Sequence, residues 1–405
     1  MTLLDEPSLV EELDAQLLFK EAHQRRRRLR VVRSILVVAV VAVVVMLGFE
    51  LHVIPGPGSR SHPLDSQPPS ASGLRSRATL VYAYKDLRVI DADTGTSRSL
   101  PLPAPQGGSS DLSMVRIGGS LLLNRGNTAW LYGPGLNDPP VNLGPSSRVI
   151  PGPTANEAWI WSDPCGTTVG CSNDGNGLQQ GELRLVDTSG NQVGSPISLP
   201  ADAAWFPTGD VVNAGLVLAV ASIGPDAEEI WNPITNHVVR ILPEAYVLAS
   251  SGDLVAWTTG KACLPHCTVN FTDVQTGIEQ ALHLPSGVTG TDEGAFSPNG
   301  STFALPVGIG GWPGNHPGGV ALMDLRTQAV RLLPGTEQAL GPRFGPQVAF
   351  WSSRGWLFVA VVGGTHVLSW RPGDQRATLL PKVRLPPISL NPPQFQTAYP
   401  TLIAM

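Results

Sequence analysis

FSPNGSTFALPVGIGGWPGNHPGGVALMDLRTQAVRLLP, residues 296–334, decides the fold. Phe296 leads into a Ser-Pro-Asn-Gly turn, and 301–307 reads as a second strand. A Gly/Pro loop follows, then 319–325, a polar turn, and 329–333 stopped by Pro334. Short apolar runs punctuated by Gly, Pro and Asn are the signature of strands joined by tight turns. One four-stranded antiparallel unit of this kind cannot bury both of its faces. It has to stack against copies of itself.

The chain supplies those copies. The recurring phrase is an apolar strand, a turn residue, a polar turn often with Thr-Gly, and a strand closing on Leu-Pro. It reads LRVIDADTGTSRSLPLP at 87–103, LRLVDTSGNQVGSPISLP at 183–200 and TVNFTDVQTGIEQALHLP at 268–285. Looser copies fall at 129–145, 229–243, 320–334 and 367–381. The turn opens at Asp91, Gly133, Asp187, Asn232, Asp273, Asp324 and Arg371, so seven anchors stand 41 to 54 residues apart. That is the period of propeller blades. Asp or Asn can cap free backbone N–H groups in such a turn, and Gly95, Gly190 and Gly277 suit its left-handed position. The closing Pro fits an outermost strand, where it blocks pairing with another molecule.

Upstream of most phrases lie two further apolar runs, such as 246–250 with 254–258 and 348–351 with 356–362. The first phrase has only 79–84 before it, so its blade lacks an innermost strand. The C-terminal segment around 395–402 can supply that strand and clasp the ring. The expected fold is all-β, a seven-bladed propeller of four-stranded antiparallel blades over residues 79–405. A different blade number or another all-β arrangement is the alternative.

FSPNGSTFA at 296–304, followed by VALMDLRT, resembles the F-S-P-D-G-x-x-x-A … D-x-x-T-G pattern of TolB-like and WD40-like propellers. The chain departs from true WD40 repeats in having neither Gly-His nor Trp-Asp dipeptides. The resemblance implies interaction or ligand capture on one flat face and no particular reaction.

Composition agrees with many short strands: 44 Gly, 38 Pro and 15% charged residues among 405. Arg outnumbers Lys 23 to 4, which with the Ala/Val/Gly/Pro bias points to a GC-rich, bacterial coding source. The net charge of −5 argues against nucleic acid as a partner.

Residues 34–54 are predicted to form one transmembrane α-helix ahead of the propeller. The apolar run 34–49 extends to Ile54 before Pro55, and a helix of that length spans about 31 Å, one hydrocarbon thickness. Arg25, Arg26, Arg27, Arg28, Arg30 and Arg33 on its N-terminal side place residues 1–33 in the cytoplasm. A long basic region with no Ala-x-Ala-like site after the run argues against a cleaved signal peptide. Residues 1–33 hold a short amphipathic stretch. Residues 55–78, rich in Pro and Ser, read as a solvated linker. The propeller would then be extracytoplasmic.

Outside the membrane the close pairs Cys165/Cys171 and Cys263/Cys267 are expected to form local disulfides. They lie in the longest loops, those joining second to third strands: 163–181, 222–228, 259–267 and 308–319. In a propeller these loops share a face with the blade-to-blade connections, and that face is the expected binding surface. Trp312, Asn315 and His316 are its most distinctive cluster, with Asp226 and Glu228 added from another loop. Asp226, Glu228 and Glu229 could together hold a cation, although a solvated acidic turn is the plainer reading. Asp174 with Asn173 and Asn176 is half a calcium loop without the distal Glu. Zinc on Cys263, His266 and Cys267 would need a ligand from another blade. No metal or cofactor is expected.

There is no Gly-x-Ser-x-Gly, His-Glu-x-x-His, P-loop or Rossmann fingerprint. The leading expectation is a membrane-anchored platform binding an envelope protein or glycan. A transmembrane sensor signalling through residues 1–33 is the second, and a cell-envelope hydrolase or oxidoreductase the third.

Overall fold

The computed structural model describes residues 76, 78–83, 86–105, 112–162, 181–199, 205–220, 227–259, 267–290, 293–309, 318–336, 347–361, 365–385 and 401–405. Residues 1–33, the helix expected at 34–54 and most of the linker lie outside them. Among the described residues no helix is long and apolar enough to cross a membrane. The propeller unit runs from Gly73 to Met405. Ser76 and Ala78, just before the first strand, are built into it. The backbone N–H and the hydroxyl of Ser76 both donate to Asp93 Oδ1 at 2.7 Å, and Ala78 is buried.

The described strands form seven antiparallel sheets. In chain order the blades cover 79–100 (blade 1), 112–145 (blade 2), 148–198 (blade 3), 205–243 (blade 4), 245–283 (blade 5), 288–332 (blade 6) and 347–379 (blade 7). Side chains alternate across a strand, so each blade presents one apolar set to each neighbour. In the strand Thr79–Ala83, Leu80 and Tyr82 pack with Phe358 and Val367 of blade 7, while Val81 and Ala83 pack with Leu121 and Tyr132 of blade 2. The buried residues sort into seven clusters, each bridging two consecutive blades and one bridging blade 7 back to blade 1. Seven sheets with seven seams make a closed ring. The seams are also why the strands read as nearly continuous apolar runs rather than as apolar/polar alternation.

The C-terminal segment closes the ring, with a strand at Thr401–Ala404 rather than around 395–402 as expected from sequence. Thr401–Ala404 pairs antiparallel with Thr79–Ala83 as the innermost strand of blade 1, with Tyr82 opposite Leu402 and Val81 opposite Ile403. The N- and C-terminal ends of the propeller thus share one sheet.

Blade 6 follows the opening stretch of sequence. Its second, third and fourth strands are Thr302–Ile309, Gly318–Asp324 and Ala329–Leu332. The Ser-Pro-Asn-Gly turn is held by Ser297, whose N–H donates to the Thr302 carbonyl at 2.7 Å and whose hydroxyl accepts from the Thr302 N–H at 2.9 Å. Phe296 and Phe303 sit 4.9 Å apart, and Phe271 of blade 5 meets Phe303 edge-on at 5.4 Å. These rings anchor the seam between blades 5 and 6. The innermost strand is broken, which the sequence did not reveal. Val288–Gly290 and Ala295–Phe296 both pair with the second strand, and five residue steps on one side face three on the other, from 290 to 295 against 307 to 304. Two extra residues therefore bulge out. Gly294 lies in the bulge, where a Cβ would collide with the Phe303 ring.

In four of the Leu-Pro phrases the Leu has a role beyond ending a strand. Its N–H donates to the carbonyl at the start of the third strand: Leu199 to Gly181 at 3.0 Å, Leu284 to Cys267 at 2.9 Å, Leu333 to Val320 at 2.8 Å and Leu380 to Val367 at 2.9 Å. Leu199, Leu284 and Leu333 are buried in the seam beside their blade.

Candidate functional site

Strand direction gives the ring two different faces. One carries the turns from first to second and from third to fourth strands, here the turn face. The other carries the links from second to third strands and from blade to blade, here the loop face.

The turn face is locked by the anchors. Asp91 Oδ1 accepts from the N–H groups of Asp93 and Thr94 at 3.0 and 2.7 Å, Asn232 Oδ1 from those of Ile234 and Thr235, and Asp324 Oδ1 from those of Arg326 and Thr327. At Asp187, Asp273 and Asp324 such bonds stabilise the charged form, so these three carboxyls stay below the usual aspartate range. The main causes are the backbone N–H of Asn191 for Asp187, of Thr276 for Asp273 and of Thr327 for Asp324. Gly95, Gly190 and Gly277 are left-handed, with φ of 72°, 83° and 75°. In blades 4 and 6 Asn236 and Gln328 hold that conformation without glycine, at 51° and 60°. The two weakest anchors are built differently. Gly133 is followed by a 3-10 turn at Pro134–Leu136, and the Arg371 turn is capped from its far end, where Asp374 Oδ2 accepts the Arg371 N–H at 3.1 Å. Each carboxylate here is consumed by its own turn.

Trp312, Asn315, His316 and Asp226 lie outside the described residues, as do Cys165, Cys171, Cys263, His266, Asn173, Asp174 and Asn176. Cys267 is described: it is buried, immediately precedes the third strand of blade 5 (Thr268–Asp273) and is disulfide-bonded. The acidic run at 226–229 is not wholly a turn. The third strand of blade 4, Ala227–Asn232, begins before Glu228 and places Glu228 and Glu229 on opposite sides of the sheet. Glu228, only 7% exposed, shares its side with Leu242 and the seam toward blade 5. Glu229 shares its side with Leu218 and Trp231 and the seam toward blade 3. Glu228 and Glu229 therefore do not face one another, and Asp226, the third member of the joint site considered from sequence, lies outside the described residues. Among the described residues no group of His, Cys, Asp and Glu could hold a metal ion.

The seam between blades 3 and 4 holds what the sequence reading missed. Trp161 is the second-last residue of Glu157–Ser162 and packs onto the same cluster as Trp231 and Leu218. Its Nε1–H is buried without an acceptor, and Glu229 Oε2 is buried without a donor. Burial raises the Glu229 carboxyl above the usual glutamate range. A Cβ on Gly181 would collide with the Trp161 indole nitrogen, so glycine is needed beside it. Both side chains stand near the loop-face ends of their strands. The only sequence signal was the Trp-Ile-Trp alternation at 159–161, which marks a buried face without saying what meets it.

No family model matches the chain, and no curated protein matches it. Solved structures do. Puromycin hydrolase is 14% identical over 80% of this chain and 55% of its own, with a TM-score of 0.47. A protein described as a TolB from Agrobacterium tumefaciens is 11% identical over 63% of this chain and 88% of its own, at 0.39. Kuenenia stuttgartiensis hydrazine synthase is 14% identical over 66% and 78%, at 0.42. The likeness is one of fold. Function has to be argued from the residues of this chain.

Proposed function

We propose that this protein is a membrane-anchored, extracytoplasmic β-propeller that binds an envelope protein or glycan through its loop face. The observation that carries the reading is the difference between the two faces. On the turn face the anchor side chains are bonded into their own turns, and the chain enters there, through the bond between Ser76 and Asp93. The loop face is free of that entry point and carries the long links between second and third strands. Trp312, Asn315, His316 and Asp226 are proposed contacts there. Residues 34–54, flanked by arginines, are the proposed anchor, with residues 1–33 in the cytoplasm. Disulfides Cys165–Cys171 and Cys263–Cys267 would fix two of the loops.

The test is capture of envelope components by the purified full-length chain. Trp312→Ala with His316→Ala should reduce capture, whereas Ile234→Ser, an exposed turn-face change, should leave it intact. The opposite result would refute the assignment of faces. Labelling that found the C-terminus inside the cell would refute the location.

A further inference from the structure

We propose that the turn-face side of blade 7 is a docking surface for an anionic phospholipid bilayer, with Arg331, Arg354, Arg371, Arg376 and Lys382 as its contacts. The inference rests on the membrane-anchoring reading and adds a second surface, separate from the loop face.

Charge is spread unevenly around the ring. Residues 347–405 contain five basic residues, Arg354, Arg371, Arg376, Lys382 and Arg384, against one acidic residue, Asp374, a net of +4. In a chain of −5 the remainder therefore carries −9. Blades 4 and 5, residues 205–283, hold eight acidic and two basic residues.

Contacts between the two turns draw the cations into one sector. The turn from first to second strand of blade 7 is closed by the Ser352 N–H, which donates to the Trp356 carbonyl at 2.8 Å, and it exposes Arg354. Arg371 opens the turn from third to fourth strand. Its guanidinium lies 5.7 Å from the centre of the Trp356 ring, so the two turns meet. Arg376 stands exposed at the end of the second turn. Arg331, exposed on the outermost strand of blade 6, lies 5.5 Å over Trp370, the residue before Arg371. Among the described residues the ion pairs are Arg88–Asp86 and Arg184–Glu182, so none neutralises these cations. The neighbouring carboxylates are bonded into turns: Asp374 accepts the Arg371 N–H, Asp324 and Asp91 cap their own turns, and Asp93 holds Ser76.

Two observations favour a lipid surface over another polyanion. The cations ride on turns and an outer strand of two blades, a spread that meets many headgroups at once. The sector also borders the point where the chain enters the propeller. Lys382 is exposed, and its backbone packs so closely on Gly95 that a Cβ there would collide with it. Gly95 shares a turn with Asp93, the residue that holds Ser76. The 21 residues 55–75 would coil to about 25 Å, short enough to keep this sector within reach of the bilayer.

The full-length chain is reconstituted in vesicles of phosphatidylcholine, alone or with about a third phosphatidylglycerol. A fluorescent amino acid at Ser353, beside Arg354, reports energy transfer to a headgroup-labelled lipid. The same probe at Thr235, in the exposed turn of blade 4, is the control. Phosphatidylglycerol should raise transfer from position 353 and not from 235, and high salt should reverse the gain. Arg354→Gln with Arg376→Gln should weaken docking about tenfold or more. Both side chains are exposed, so the melting temperature should hold. Equal transfer in the two lipids, or a gain that survives the double variant, would overturn the docking surface. So would loss of the gain to alginate at charge concentrations far below the lipid's, which would assign the sector to an anionic polymer. A chain that does not float with the vesicles would refute the anchor and this inference together. A chain that floats without the gain removes only the docking surface.

Discussion

Leu402→Ala tests whether the ring depends on its C-terminal clasp. Leu402 is 6% exposed, faces Tyr82 across the innermost strand pair, and packs in the cluster that joins blade 7 to blade 1. Truncating a leucine so buried removes its transfer energy and leaves a cavity, together about 3 kcal/mol. For a unit of this size each kcal/mol lowers the midpoint by about 2 °C, so the melting temperature should drop by about 6 °C. The control is Leu379→Ala. Leu379 is also in a strand but 40% exposed on the outermost edge of blade 7, and its loss should cost under about 1 kcal/mol. Thermal unfolding of both variants by circular dichroism gives the comparison. Equal midpoints for the two would mean that residues 401–404 add nothing to closure. Deleting residues 401–405 should go further, since it strips the N–H and C=O partners from Thr79–Ala83 and leaves an open edge that promotes aggregation.

Further outcomes follow from the turns and the cysteines. Asp187, Asp273 and Asp324 have depressed carboxyl pKa values in the folded state, so their contribution is present above the unfolded aspartate range and is lost as pH falls through the folded values. Melting temperature should therefore decline in acid, and Asp324→Asn should flatten part of that decline; an unchanged acid limb would contradict the capping role. Glu229 has the opposite sign. Its raised value makes it cost stability as pH climbs from the ordinary glutamate range, and the wild-type minus Glu229→Gln difference should show this. Gln328→Gly should stabilise by up to about 1 kcal/mol, because φ of 60° is strained for glutamine and free for glycine; a loss in chemical denaturation would refute it. Intact mass should rise by four hydrogens on reduction, two for each proposed disulfide, and no change would remove both.

The repeat was legible in the sequence because its chemistry is local. An Asp or Asn that caps its own turn, a left-handed glycine and a Leu-Pro stop act within a few residues, so each blade announces itself. The missing inner strand of the first blade was legible for the same reason: an antiparallel sheet short of one strand must find it elsewhere in the chain. The broken inner strand of blade 6 was not, because Gly294 makes room for a ring from the next strand, and sequence does not show which ring arrives there. Nor could sequence separate Glu228 from Glu229. They are neighbours in the chain, but the strand turns one toward blade 5 and the other toward blade 3. Trp161 meets the Glu229 seam only through packing of blades whose residues stand about seventy positions apart. Short-range turn chemistry set the number and order of the blades; which polar atoms were left open between them was decided by how whole sheets pack, a non-local property that no single stretch of chain encodes.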